Sequence, residues 1–94
     1  MTDTIANKLV ADIHATPVFE RHMWKSGVFT GATQMYVAPI MIWAHTIEVR
    51  LYSKRNYYKK ALEKFTKDHP ELEHAYFVKN GVCCTPFLRF VVKE

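Results

Sequence analysis

Residues 41–52, MIWAHTIEVRLY, show the clearest period-two alternation in the chain. Alternate side chains in a β-strand point to opposite faces of the sheet. The alternation therefore predicts one strand with a mainly apolar inner face and a more polar outer face. The inner face consists of Met41, Trp43, His45, Ile47, Val49 and Leu51, and the outer face of Ile42, Ala44, Thr46, Glu48, Arg50 and Tyr52.

Helices are predicted before this strand. Apolar residues recur every four positions from Ile5 to Ile13, which predicts a helix over residues 3–15. Thr16-Pro17 ends that helix and begins a second, shorter one, because proline suits the first helical position and restricts the residue before it. Ser26-Gly27 is expected to stop the second helix.

The remaining segments predict further strands and helices. Residues 29–38 are rich in β-branched and aromatic side chains and indicate a strand. Ser53 is expected to cap a helix that buries an apolar stripe between residues 58 and 65, and a second helix is expected over residues 68–81. The last predicted strand covers residues 82–93, with its firmest part at 87–92.

This order of elements predicts an α+β fold. We expect a two-layer sandwich in which helices pack on one face of a small antiparallel or mixed sheet of three to four strands. A chain of 94 residues that is 49% hydrophobic and 23% charged is sufficient for one core, so residues 1–94 are expected to form a single globular domain.

Several classes of protein are excluded or disfavoured. The longest apolar run covers residues 35–44 and is far too short for a membrane-spanning helix. The first apolar stretch contains Asp3, Lys8 and Asp12, whereas the core of a signal peptide is an uncharged apolar run. The two cysteines, Cys83 and Cys84, are neighbours and are poorly placed to bridge each other. We therefore expect a cytoplasmic protein with no membrane partner and no internal disulfide framework.

Catalytic and cofactor chemistry is also disfavoured. None of the five histidines forms an i, i+4 pair, and the three glycines are too scattered for a phosphate-binding loop. His45 is expected to be a locally satisfied histidine rather than a general base. Cys83 and Cys84 follow a predicted helix end, where we expect burial of the thiols and no lowering of their pKa. We expect no metal, no cofactor and no enzymatic activity.

The distribution of charge supports a binding function. The formal net charge is +4, and residues 48–66 account for all of it with six basic and two acidic side chains. Cations interleaved with aromatic rings are typical of single-stranded nucleic-acid binding, because cations contact phosphates and rings stack on bases. The sequence predicts RNA or single-stranded DNA as the ligand. The candidate binding residues are Arg50, Tyr52, Lys54, Arg55, Tyr57, Lys59, Lys60 and, from the last strand, Arg89.

Three alternatives to nucleic-acid binding remain. The chain has thirteen Phe, Trp and Tyr residues, a generous number for a small core, and these types together with Met and Arg are enriched at protein interfaces. The second interpretation is a protein-contact module. The surplus rings would form either the interface of a homodimer or the surface with which a small inhibitor or adaptor occludes its partner. The third is an anionic nucleotide bound between Arg55 and the nearby tyrosines. A helical face that only keeps the protein soluble would explain the same charges.

Overall fold

The computed structural model describes residues 1–24, 28–30, 33–35, 39–81 and 85–93. These residues contain three helices and six strands, and all strand pairs are antiparallel. β1 and β2 pair with each other, while the main sheet has the order β3-β4-β6-β5. In chain order the elements are α1 (Asp3–Ala15), α2 (Pro17–His22), β1 (Val28–Thr30), β2 (Thr33–Met35), β3 (Ile40–Ile42), β4 (Thr46–Arg50), α3 (Lys59–Asp68), β5 (Leu72–Val78) and β6 (Phe87–Val92).

The predicted α+β fold is confirmed, and the helices pack on one face of the main sheet. We call this the inner face. It carries alternate strand residues that are buried together with side chains from all three helices in one apolar cluster. The Phe19 ring of α2 lies 5.7 Å from both Phe65 of α3 and Phe90 of β6. The strand residues of the inner face are Ile40, Ile47, Val49, Leu72, Ala75, Phe77, Leu88, Phe90 and Val92.

The first two helices follow the sequence closely. α1 covers the predicted residues, and the Thr2 hydroxyl accepts a hydrogen bond from the Ile5 amide at 3.3 Å. Pro17 occupies the first turn of α2, as predicted. The helix ends at His22, earlier than expected, and the predicted stop at residues 26–27 lies outside the described residues.

The prediction of one strand over residues 41–52 is wrong. The segment forms the end of β3, a turn at residues 43–45 and β4, and the Trp43 amide donates to the Thr46 carbonyl at 2.8 Å. Because the chain reverses at this turn, odd-numbered residues of β3 lie on the same face as even-numbered residues of β4. Met41 therefore pairs with Glu48 and lies on the face opposite the helices. Trp43, expected inside, is 56% exposed. The predicted faces hold for residues 47–51, where burial fixes the register.

The helix predicted over residues 68–81 is also wrong, because most of it forms β5. Leu72, Ala75 and Phe77 face the helices, but a register irregularity between Leu72 and His74 separates the first two by three positions. That spacing imitates a helical period. β5 pairs with β6 along its length, so the backbone groups on that side of β6 are hydrogen-bonded. A helix at residues 72–78 would leave the same groups of β6 exposed at the edge of the sheet.

α3 begins later than predicted. Ser53 does not cap it, because its hydroxyl accepts from the Arg55 amide at 3.2 Å and closes a local turn. Asn56 accepts from the Tyr58 amide, and the helix starts at the next residue. The predicted apolar stripe is confirmed, because Tyr58, Leu62 and Phe65 are buried and Ala61 packs against them.

The other two predicted strands are found in part. Residues 29–38 contribute to the short hairpin of β1 and β2 rather than to one strand, and positions 31–32 and 36–38 lie outside the described residues. β6 matches the firm part of the last predicted strand, whereas residues 82–84 are outside the described range. Among the described residues, no helix is long and apolar enough to cross a membrane.

Candidate nucleic-acid interface

The outer face of the main sheet is opposite the helices and consists of three cross-strand rows. The registers of β3, β4, β6 and β5 place four side chains in the central row, with aromatic and charged groups side by side. Most of these side chains are partly exposed rather than buried. The rows are Arg50, Phe87 and Val78; then Met41, Glu48, Arg89 and Tyr76; then Thr46, Val91 and His74.

Arg89 is the centre of a hydrogen-bonded network on the outer face. It donates to the Tyr76 hydroxyl at 2.8 Å, and its Nη2 and Nε donate to Glu48 Oε1 at 3.1 and 3.3 Å. The hydrogen bond to Tyr76 is the largest cause that raises the pKa of the Arg89 guanidinium, and the hydrogen bond and negative charge of Glu48 add to it, while partial burial acts in the opposite direction. Glu48 Oε2 has no hydrogen-bond partner among the described residues.

Aromatic rings hold the Arg89 side chain in place. Its guanidinium carbon lies 5.0 Å from the centre of the Phe87 ring and 5.6 Å from that of Tyr76, within the range of cation–π attraction. The Phe87 ring in turn requires a glycine at position 81, because a Cβ there would overlap the ring. Local packing therefore fixes the central cation.

Arg50 is less constrained and faces a cavity. In the part of the chain that the structure describes, its guanidinium has one polar contact, to the Met41 sulfur at 3.5 Å, and no acidic partner. The adjoining cavity has a volume of about 550 Å³ and is lined by Arg50, Glu48, Trp43 and Phe87, among others. Within the described residues, the site thus presents a cation without an acidic partner, a carboxylate oxygen without a hydrogen-bond partner and two aromatic rings.

Tyr52 and Tyr57, both predicted binding residues, are exposed on the connection between β4 and α3. Tyr52 is 52% exposed and stacks on Trp24 with ring centres 5.0 Å apart. Tyr57 is 49% exposed and stacks on His22 at 5.3 Å. A bridge between Met23 and Leu51 brings Trp24 next to Tyr52. Each tyrosine is therefore held in one orientation and still presents about half of its surface to solvent.

Four further predicted cations lie on the connection to α3 and at its start. None has an acidic side chain within ion-pair distance among the described residues, and all four are exposed. One of them contacts a tyrosine hydroxyl at 3.5 Å, and another lines a groove between α3 and β5. The four are Lys54, Arg55 (which contacts Tyr57), Lys59 (which lines the groove) and Lys60.

The groove that holds Lys59 and the outer face both reach Tyr76 of the edge strand. His74 and Tyr76 of the edge strand line this groove, and Tyr76 also lines a shallower cavity on the outer face. The structure thus places Arg50 and Arg89 on one face and Lys59 across its edge. Tyr52 follows β4 on the side of Arg50.

Sequence reasoning missed several residues of the site. Glu48 was placed on the outer face, but its role as partner of Arg89 depends on the pairing of β4 with β6, which is a contact over 41 positions. Trp24 and His22 had no signal, because the bridge that brings them to the tyrosines joins distant segments. Trp43 was expected on the inner face and instead lines the outer cavity.

Neither a metal site nor a known relative helps to identify the function of this surface. Among the described residues, no group of three or more His, Cys, Asp or Glu side chains is arranged to bind a metal ion, and Cys83 and Cys84 lie outside those residues. Comparison with protein-family models, curated proteins and solved structures found no match for this chain.

Proposed function

We propose that the protein binds single-stranded nucleic acid, RNA or DNA, without catalysing a reaction and without a cofactor. The observation that carries the proposal is the presence of exposed, stacked tyrosines Tyr52 and Tyr57 beside four cations that have no acidic partner among the described residues. In a folded protein, unpaired cations next to rigid aromatic surfaces are suited to phosphates and unpaired bases respectively.

The outer face extends this surface. Arg50 supplies a further guanidinium without an acidic partner in the described residues. A bound nucleic-acid strand could cross the sheet edge at Tyr76, which lines both the groove with Lys59 and a cavity on the outer face. Aromatic and arginine side chains on an open sheet can bind unstacked bases of single-stranded RNA. We place this binding in the cytoplasm, in keeping with the use of cysteine in the sequence.

The proposal predicts binding that depends strongly on salt. Alanine at Lys54, Arg55, Lys59 and Lys60 should remove most affinity for a single-stranded oligonucleotide, measured by fluorescence anisotropy over a series of salt concentrations. Four lost phosphate contacts should also reduce the slope of log K against log salt by about 3.

The matched control replaces four other exposed lysines, Lys8, Lys64, Lys67 and Lys79, with alanine. It changes the net charge by the same amount and should keep most of the affinity. Full affinity in the first variant, or equal losses in both, would reject the proposal.

A second candidate function is supported by a different observation. Ile42 and Trp43 are adjacent, at the end of edge strand β3, and are 51% and 56% exposed. Ile42 pairs with Ile47 of the inner face, whereas Trp43 lines the outer cavity, so the two side chains lie on opposite sides of this sheet edge. Exposed apolar side chains at a sheet edge are suited to contact with another protein. This favours an inhibitor, an adaptor or a homodimer. Such a protein should associate with its partner or with itself at high salt, and it should not bind the oligonucleotide in the same titration.

A further inference from the structure

We infer that the cavity on the outer face binds one nucleobase that carries an exocyclic amino group and discriminates against uracil. This inference rests on the proposed function and specifies the ligand. It is carried by the chemistry of the cavity that Trp43, Glu48, Arg50 and Phe87 line, a volume of about 550 Å³. A cavity of this size is within the range of small-ligand sites.

The discriminating group is Glu48 Oε2. Both hydrogen bonds from Arg89 go to the other carboxylate oxygen, at 3.1 and 3.3 Å, so Oε2 is left without a partner among the described residues. An ionised carboxylate only accepts hydrogen bonds. It therefore favours an amino group, such as N4 of cytosine, and repels the carbonyl oxygen that uracil carries at the same ring position.

Arg50 and Trp43 provide the remaining contacts. Arg50 and Glu48 are two positions apart on β4, so their Cα atoms are separated by about 7 Å and their side chains share one face. The guanidinium can contact a phosphate while the base edge reaches Glu48. Trp43 is 56% exposed and lines both cavities that Glu48 borders, which makes it the ring on which the base stacks.

The fixed position of Arg89 gives the Glu48→Gln variant a definite outcome. Arg89 has only donors, so it requires the oxygen of the new amide. The amide nitrogen then takes the position of Oε2 and turns an acceptor into a donor. Uracil, with its carbonyl oxygen, becomes the better ligand. The base preference should reverse rather than merely weaken.

The test compares short cytidine and uridine oligonucleotides of equal length by anisotropy at one salt concentration. The original protein should bind the cytidine oligomer about 10-fold more tightly or better, since one hydrogen bond to a charged group is at stake. The Glu48→Gln variant should prefer the uridine oligomer. The exposed Glu73 provides a matched control, because Glu73→Gln makes the same chemical change away from the cavity and should keep the cytidine preference.

A second variant covers failure of Glu48→Gln to fold. Trp43→Ala removes an exposed ring that packs outside the core, and it should lower the affinity for both oligomers by about 5-fold or more. Equal affinity of the original protein for the two oligomers, an unchanged preference in a folded Glu48→Gln variant, or no effect of Trp43→Ala would overturn the inference.

The outcomes separate the inference from the proposed function. Binding of both oligomers that lacks a base preference but requires Lys54, Arg55, Lys59 and Lys60 would leave the nucleic-acid function standing and reject the base site. Absence of binding to either oligomer would reject both. Self-association that resists high salt, together with that absence, would support the protein-contact alternative.

Discussion

The two faces of the main sheet are built by the same strands and differ in almost every property. On the inner face, Val49 and Phe90 are fully buried in a cluster with the helices. On the outer face, the next residues along, Glu48 and Arg89, are partly exposed and bonded to each other. The inner face has no buried polar residue among those described, while the outer face combines charge with aromatic rings.

This difference separates what folding requires from what it leaves free. Burial of apolar area drives folding and fixes the register of the strands, because a slip by one residue would bring Glu48 and Arg89 into the core. Folding alone does not require a tyrosine, a phenylalanine and an arginine in contact on the other side. The composition of the outer face is therefore where evidence of a binding function is to be sought.

The largest expected effect compares adjacent positions of β6 on opposite faces. Phe90→Ala should lower the free energy of unfolding by about 3–5 kcal/mol, because Phe90 is fully buried and contacts Phe19 and Phe65. Val91→Ala, on the half-exposed outer face, should cost about 1 kcal/mol or less. Denaturant titration of both variants measures the difference.

Phe90→Ala removes more side-chain atoms than Val91→Ala. Leu88→Ala, which removes fewer atoms than Phe90→Ala, therefore serves as a second inner-face variant. Leu88 is fully buried, and its loss should cost about 2–5 kcal/mol. Similar losses at Val91 and at the two buried positions would show that helices or other segments cover both faces equally, and the distinction between the faces would be wrong.

The predictability of the fold follows from the same distinction. Apolar periodicity was sufficient for α1, for the stripe of α3 and for the inner residues of β4 from 47 to 51, because each of these buries one continuous stripe. It failed at β5, where the irregularity after Leu72 disguises a strand as a helix. It also failed at the turn after β3, since no glycine or proline lies at residues 43–45 to mark the reversal.

The candidate site was less predictable than the fold. The cations and tyrosines of residues 50–60 could be named from composition, and Arg50 could be assigned to the outer face by alternation. The contacts that define the cavity could not. Arg89 meets Glu48 and Tyr76 only through strand pairings between distant segments, which depend on the order of strands in the sheet rather than on any local pattern.

Tyr58 gives the second comparison, because its hydroxyl is buried without a hydrogen-bond partner among the described residues. Burial, with the nearby Tyr57 as a smaller cause, raises the pKa of Tyr58 to about 12 from 10.0. The unfolded chain therefore loses this proton first as the pH rises. The titration of Tyr58 leaves stability unchanged below the unfolded pKa of 10.0 and should lower the free energy of unfolding by about 2 kcal/mol as the pH rises from 10 to 12.

The Tyr58→Phe variant isolates this effect from the titration of lysines. It should unfold less readily than the original protein above pH 10, and the difference between the two unfolding free energies should grow with pH. A constant difference across the alkaline range would mean that water or another group reaches the hydroxyl, and the pKa assigned from burial would be wrong.

The smallest expected effect makes the same chemical change on the outer face. The Tyr76 hydroxyl accepts from Arg89 at 2.8 Å, so Tyr76→Phe leaves the guanidinium with one partner fewer and should cost about 1 kcal/mol near pH 7. Tyr58→Phe at the same pH should be neutral or stabilising, because it removes a buried hydroxyl that lacks a partner. Thermal or denaturant unfolding resolves opposite signs even when both effects are small. Equal signs would contradict the contrast between the hydrogen-bonded hydroxyl of Tyr76 on the outer face and the buried hydroxyl of Tyr58, which has no partner among the described residues.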